Sequence, residues 1–512
     1  MMGNQNKKNN KIILRNTIFM AIRMVLLLGI SLYTSRVVLQ VLGVEDYGIY
    51  NVVAGFVSMF AFLNSSMTNA NQRFYNIELG KDSDTGVNVV YNTSLRIQVF
   101  LAIAVLLLTE TVGLWYLYDK MVIPPDRLDA AFWVFQFSVI SLLFIIFQIP
   151  YSAAIIAYER MDYYAYVGII DAFLKLFIAL SIPYAKGDQL IVYGFLLLTI
   201  NIINWCLYFF YAKLRFKVLS FHKKFNFDLF KNMLGFSAWN CFGIFSTVFR
   251  EQGANMLLNL FFGPVINAAR AIAYQVSGAL ESFVLNITTA SRPQMIQTYA
   301  KGERERMFHI MYSVSKLCFL FVLCIALPII IEVDFVLKIW LGDTIPKHTN
   351  SFMVLVVIAA LIRVFHPMTS HIVHATGKMS VFQVTNGILN LLLIPIVYVM
   401  LRLGYSPESI FVLFIIMNMV IQYVSWIILR RLVPEFSIAS YIRQVIIPLC
   451  IISALAVILP YVAHIEMDSG FMRFFIVTLL SVVSIITLGF LIALNHSEKR
   501  TIVGYLEKIR KR

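Results

Sequence analysis

FWVFQFSVISLLFIIFQIPYSAAIIA, residues 132–157, runs for 26 residues without a charged side chain. A helix rises about 1.5 Å per residue, so roughly 20 apolar residues cross a hydrocarbon core about 30 Å thick. The stretch lacks the apolar–polar alternation, in segments of about ten residues, that marks a barrel strand. Residues 471–494, with Arg473 near the start, are likewise long and apolar enough, as is the run around Ala102–Leu108 with its flanks. Of the 512 residues, 60% are hydrophobic and 13% charged, and the mean hydropathy is +0.78. A soluble domain carries about 25% charged residues. Lipid is therefore the main solvent of this chain, and the fold class is an all-α polytopic membrane protein.

About fourteen transmembrane helices are predicted, near 16–41, 48–68, 89–117, 131–157, 163–184, 189–212, 233–261, 265–291, 308–331, 352–374, 381–401, 408–430, 444–462 and 471–494. The second, seventh and eighth are rich in Asn, Ser, Thr and Gly, which suits helices facing a wet or closely packed interior. The basic N-terminus (Lys7, Lys8, Lys11, Arg15) precedes an apolar stretch that contains Arg23 and has no convincing small-residue cleavage site, so it reads as a retained first helix. With both termini placed in the cytoplasm, 27 of the 42 Lys and Arg fall inside, 7 outside and 8 within spans. That asymmetry follows the positive-inside rule and accounts for the net charge of +15 without nucleic acid.

The longest loops, near 213–232 and 332–351, have about twenty residues, too few for a soluble domain. Outer acids such as Asp119, Asp126, Glu332 and Asp343 are scattered, which argues against a sugar polymerase or membrane glycosyltransferase. The five cysteines lie in apolar runs without a CxxC pair, so neither disulfide nor metal site is expected, and no cofactor is implied.

The segment from Lys213 to Lys231 mixes bases with Phe216, Phe221, Phe225, Phe227 and Phe230. Either it lies at the headgroup layer or it is a plain basic linker. It divides the chain into an N-terminal lobe (1–215, six spans), the linker (216–232), a C-terminal lobe (233–432, six spans), and an extra helix pair with a basic tail (433–512). A faint repeat supports the division. Gly43 to Lys81 lies on Gly263 to Lys301 without a gap, matching Gly43 with Gly263, Thr68 with Thr288, Ala70 with Ala290 and Lys81 with Lys301. Repeated halves flanking a midplane site are a common transporter plan.

Eight bases fall inside spans: Arg23, Arg36, Arg96, Lys175, Arg250, Arg270, Lys316 and Arg363. A base at the centre of a membrane helix costs about 2.5–3.5 kcal/mol on insertion scales. Arg96 and Lys316 lie near predicted cytoplasmic ends and are expected to snorkel, while Lys175 has Asp171 one turn away. Arg250 and Arg363 are near mid-span. Glu251 adjoins Arg250 but neighbours on a helix do not face each other, and Arg363 has no acid on its helix. Asp171, Glu251, Glu281 and Glu110 are the only acids available, leaving an excess of positive charge. A cationic cavity between the halves would hold phosphate or carboxylate, for which arginine's planar fork is suited. The competing account is interhelical pairing plus snorkelling. Candidate substrate-binding residues are Arg36, Arg250, Arg363, Arg270 and Arg23. His366, His371 and His374 cluster beside Pro367 and read as polar lining or a helix end.

The stretch SRVVLQVLGVEDYGIY, Ser35 to Tyr50, resembles the R-x-x-L-x-x-L-G-x-x-x-Y-G-I-Y signature of Wzx-type polysaccharide flippases, in the multidrug/oligosaccharidyl-lipid/polysaccharide exporter superfamily. Phe227 to Trp239 and Gly263-Pro264 are similar to that family as well. The resemblance implies two six-helix lobes arranged as a V plus two C-terminal helices, and transport of an undecaprenyl-pyrophosphate-linked oligosaccharide, such as an O-antigen repeat unit, from the cytoplasmic to the outer leaflet. Rocking of the lobes about the cavity, a bacterial inner-membrane location, and polysaccharide polymerase and glycosyltransferase partners are implied with it. Arg36 matches the family's first-span arginine. The sugar would need partners, for which Asn51, Asn64, Asn69, Asn71, Gln72, Asn240, Asn255, Gln275 and Asn286 are candidates, with interhelical packing the alternative role. The nearest competing function is a cation or drug antiporter, whose cavity would favour acids; the excess of bases argues for the flippase.

Overall fold

The helices form where the apolar runs predict them. The computed structural model describes residues 29–493 and Lys499, apart from 61, 65, 82, 159, 161, 165, 223–225, 236–240, 290 and 293. In chain order the main helices are α1 (Met2–Ser58), α2 (Phe62–Leu79), α3 (Asp84–Leu108), α4 (Leu128–Ala157), α5 (Met161–Ser181), α6 (Gln189–Arg215), α7 (Phe227–Phe262), α8 (Pro264–Ala300) and α9 (Arg304–Ile331). These are followed by α10 (Thr349–Arg363), α11 (His366–Thr376), α12 (Ser380–Arg402), α13 (Glu408–Leu432), α14 (Ile447–Ala456), α15 (Ile458–Glu466) and α16 (Phe471–Leu488). Among the described residues, 11 stretches are long and apolar enough to cross a membrane. The first, Gly29–Leu79, covers two predicted spans because it breaks at Gly43. α7 and α8 are too polar to be among the 11, yet they run for 36 and 37 residues. Together these make about fourteen helical spans in a multi-pass membrane protein.

Apolar side chains line the outward faces at helical spacing. Phe173, Phe177 and Leu180 on α5 and Leu479, Val483 and Ile486 on α16 are all exposed. In water such faces would aggregate; in lipid they are solvated, while every backbone group stays paired inside its helix.

Two glycines carry the repeat into three dimensions. Gly43 breaks α1 at φ 77°, ψ 172°, and Gly263 separates α7 from α8 at φ 78°, ψ −177°. This backbone region is essentially closed to residues with a Cβ. The two glycines lie 220 residues apart, as do the first residues of α3 and α9, Asp84 and Arg304. Four identities are thus accompanied by one backbone geometry and one helix boundary in common.

The chain divides into two compact units, Met1–Ala268 and Ala269–Arg512. In the first, α4 packs on α6 and α2 around a core that includes Tyr75, Tyr91, Ile97, Ile149 and Leu219. The segment after α6 is held against α3 by a stripe spaced four residues apart. Asn88 donates to the carbonyls of Val218 (2.6 Å) and Ser220 (2.8 Å), Asn92 accepts from the amide of His222 (2.7 Å), and Arg96 donates to the His222 carbonyl (2.9 Å). Phe216 stacks on Tyr158 at 4.2 Å. Residues 216–222 are therefore part of the first unit's packing.

In the second unit the core runs from α8 and α9 through α11, α12 and α13 to α14 and α16. The last helices are fixed to α9 at two depths. Glu332, which caps α9, is 1% exposed and accepts from Arg473 (2.8 Å) and pairs with His464 (2.8 Å). Lys316, also buried, donates to the carbonyl of Ala493 at 2.8 Å. Two expectations are corrected here. Lys316 does not snorkel, because the carbonyl of Ala493, in the π-turn Gly489–Ala493, accepts a hydrogen bond from its ammonium. Glu332 is not a stray loop acid but a buried carboxylate with two partners.

Pro150 in α4, Pro328 in α9 and Pro395 in α12 lie inside continuous helices. Pro367 and Pro448 stand at the first turns of α11 and α14, and Pro183 lies in the 3-10 turn after α5. At Pro367 and Pro183 the missing amide falls where a helix starts or ends and needs no partner, whereas Pro448 follows the π-turn Ile442–Ile446 within a continuous helical run.

Candidate functional site

α8 departs from the other spans in what it exposes. The accessible positions in its middle include Glu281, Ser282, Asn286, Thr289 and Arg292, with Leu285 among them. Polar side chains at this density are not tolerated against lipid and mark a hydrated surface. α2, its counterpart in the repeat, exposes Asn69, Arg73 and Asn76, which share one face at i, i+4, i+7. Each unit thus carries a polar helix face of its own. Of the amides predicted to line a path, Asn69 and Asn286 are exposed. Asn71 and Asn255 are buried: Asn71 donates to Ser94 at 2.6 Å and Asn255 to the carbonyl of Asn51 at 3.1 Å. Asn240 lies outside the described residues.

Arg363 ends α10 immediately before the break that leads to Pro367 and α11. It reaches α8, where its guanidinium pairs with Glu281 and donates to Ser277 at 2.7 Å. Ser277 in turn donates to Glu281 at 3.0 Å, so the three groups close a ring across two helices. Arg250, buried in α7, pairs with its neighbour Glu251 at 2.6 Å. The expectation that these two arginines lack acidic partners is therefore corrected. Arginine's long side chain curls along its own helix to reach Glu251, and the acid serving Arg363 comes from a helix 82 residues earlier in the chain.

The other predicted bases are placed differently. Arg270 is buried in the second unit with its guanidinium 4.0 Å from the centre of the Tyr274 ring, a cation–π contact. Arg36 is half-buried on α1. Arg23 lies outside the residues whose side chains are described. Lys175 pairs with Asp171 at 2.8 Å as its spacing predicts, and Asn204 donates to the same carboxylate at 2.8 Å. The structure thus brings Arg363 onto the polar face of α8, while Lys175 and Lys316 are held by structural partners.

The signature stretch Ser35–Tyr50 has a packing role. Gly43 makes the break in α1, and Asp46 pairs with Arg127. Arg127 also grips Asp188 at 2.6 Å, joining three connections of the first unit. Tyr50 meets Tyr193 edge-on at 4.8 Å. A Cβ on Gly48 would lie 2.0 Å from the carbonyl oxygen of Pro264. One turn further on, Asn255 and Asn267 fasten α7 to α8, with Asn267 donating to the carbonyl of Asn255 at 2.7 Å. The stretch marks how helices meet, and only Arg36 within it stands as a candidate for cargo.

His371 is buried on α11 beside Arg292 and His374, and its Nε2 is buried without a hydrogen-bond partner. Among the described residues no group of three or more His, Cys, Asp and Glu could hold a metal ion.

No family model and no curated protein matches this chain. Solved structures do. The lipid II flippase MurJ in an inward closed conformation superposes with a TM-score of 0.70 at 14% identity, covering 92% of this chain and 98% of MurJ. An inward-facing multidrug resistance MATE family transporter of the MOP superfamily gives 0.65 at 15% identity over 80% of this chain and 96% of that one. A MOP superfamily transporter from Pyrococcus furiosus, described as having a binding pocket of reversed polarity, gives 0.59 at 13% identity over 81% and 95%. At these identities the likeness is one of fold, and the chain has the fold shared by MOP superfamily flippases and transporters.

Proposed function

We propose that this protein is a flippase that moves a lipid-pyrophosphate-linked oligosaccharide from the cytoplasmic to the outer leaflet by alternating access. The observation that carries the reading is Arg363 on the polar face of α8, a base and hydrogen-bonding groups together inside a membrane-spanning unit. A pyrophosphate cannot cross hydrocarbon with its charge uncompensated. Fixed guanidinium groups replace its hydration, and the exposed amides and hydroxyls of α8 and α2 offer hydrogen bonds to sugar hydroxyls. The prenyl tail needs no site, since lipid solvates it. Arg36, Arg250, Arg270 and Arg23 are proposed as further substrate-binding residues. The likeness of fold to a lipid II flippase supports the same reading. The cytoplasmic membrane of a bacterium is its proposed place, with the chain's termini inside.

A cation or drug antiporter is the second reading, favoured by the fold shared with a MATE transporter. The two predict opposite preferences. Reconstituted protein should translocate a fluorescent lipid-pyrophosphate oligosaccharide and leave cationic dyes where they are; efflux of cationic dyes without movement of the lipid would overturn the flippase.

A further inference from the structure

Glu281 and Ser277 stand one turn apart on α8 and both hold Arg363. Their exposures differ. The Glu281 side chain is 50% exposed and that of Arg363 20%, while Ser277 is buried. The acid is thus the outer member of the ring and the base the inner one. The guanidinium is not saturated by them, because its Nε is buried without a hydrogen-bond partner. Ser282, Asn286 and Thr289 continue the accessible face on which Glu281 stands.

We propose that Glu281 is a placeholder anion: it neutralises Arg363 while the site is empty and yields that place to a phosphate of the cargo. This rests on the anionic-cargo reading above and adds to it a residue that sets specificity. A phosphate group offers more acceptor oxygens and more charge to a planar guanidinium than one carboxylate does. The outer, half-exposed acid can turn into water while Arg363 and Ser277 stay in place. A neutral headgroup offers Arg363 nothing that compensates for the lost carboxylate, so it is rejected. In the return step the carboxylate spares the protein an uncompensated guanidinium in a low-dielectric setting.

Farnesyl pyrophosphate, a short prenyl pyrophosphate, is the probe, with farnesol as its uncharged control, binding to purified protein in nanodiscs. Glu281→Gln removes the competing charge. From the range typical of exposed ion pairs, Glu281→Gln should bind the pyrophosphate about 1.4- to fivefold more tightly. Farnesol binding should not change. Arg363→Ala should weaken pyrophosphate binding at least about tenfold. Equal or weaker binding by Glu281→Gln, with Arg363→Ala impaired, overturns the placeholder and leaves Arg363 as an anion site. Unchanged binding by Arg363→Ala overturns the reading on which the placeholder rests. Should Glu281→Gln not purify as a monodisperse protein, Glu281→Asp puts the same question: the shorter acid reaches Arg363 less well and should likewise tighten pyrophosphate binding, and equal or weaker binding overturns the placeholder.

Discussion

Gly48 tests whether the signature stretch is a packing device. A Cβ built there lies 2.0 Å from the carbonyl oxygen of Pro264, 2.6 Å from its carbonyl carbon and 3.1 Å from its Cβ. Ordinary contact begins near 3.5 Å, so Gly48→Ala must push the second half of α1 away from the first turn of α8. Two of the three obstructing atoms are backbone, which cannot relax by changing rotamer. Overpacking of this kind costs about 1–3 kcal/mol. It acts next to the hydrogen bonds by which Asn255 links α7 to α1 and Asn267 links α8 to α7. Thermal unfolding of the detergent-solubilised protein, followed by fluorescence-detected size exclusion, should show a midpoint several degrees below wild type. Gly278→Ala is the control, since nothing lies within 4 Å of its Cβ position and alanine is the better helix former by about 0.5–1 kcal/mol. Equal midpoints for Gly48→Ala, Gly278→Ala and the wild type would refute the reasoning.

Further outcomes follow from the ion pairs. Glu332→Ala strands Arg473 and His464 around a buried carboxylate site and should destabilise by about 3–5 kcal/mol, whereas the double variant Glu332→Leu/Arg473→Leu should recover much of that in the same unfolding assay. Asp188 caps α6 and binds Arg127. Partial burial opposes its ionisation, but the hydrogen bonds from Arg127 and the amides of Ile191 and Leu190 outweigh it and hold the carboxyl below its ordinary value of 3.8. Its stabilisation is therefore present above about pH 4 and lost as pH falls through the lowered folded value. Asp188→Asn should cost about 1 kcal/mol at neutral pH, with the gap to wild type closing below pH 4; a constant gap from pH 7 to pH 3 would contradict the assignment.

Gly43 and Gly263 fell between predicted spans and helix number was legible, both because hydropathy and length are local properties. So was Lys175 with Asp171, a pair within one turn of one helix. The repeat was visible in four identities, and its geometric content, the matched dihedrals at Gly43 and Gly263, came with the structure. What periodicity cannot supply is the partner on another helix. Arg473 meets Glu332 across 141 residues, Lys316 meets Ala493 across 177, and Arg363 meets Ser277 across 86. From its own helix alone Arg363 looked unpaired, Lys316 like a snorkelling base and Glu332 like a scattered outer acid. The exposed polar face of α8 had a signal, its surplus of Ser, Thr and Asn, but the same composition marks tight packing, as buried Asn71 and Asn255 illustrate. Only exposure separates the two.

The central claim is that arginines within the membrane carry an anionic lipid headgroup. It is tested most directly by measuring translocation of a fluorescent lipid-pyrophosphate oligosaccharide in proteoliposomes by wild type, Arg250→Ala, Arg363→Ala and the double variant, each shown to be folded and inserted to the same extent. The wild type should move the lipid, and both single variants should not. Full translocation by both single variants and by the double variant would contradict it.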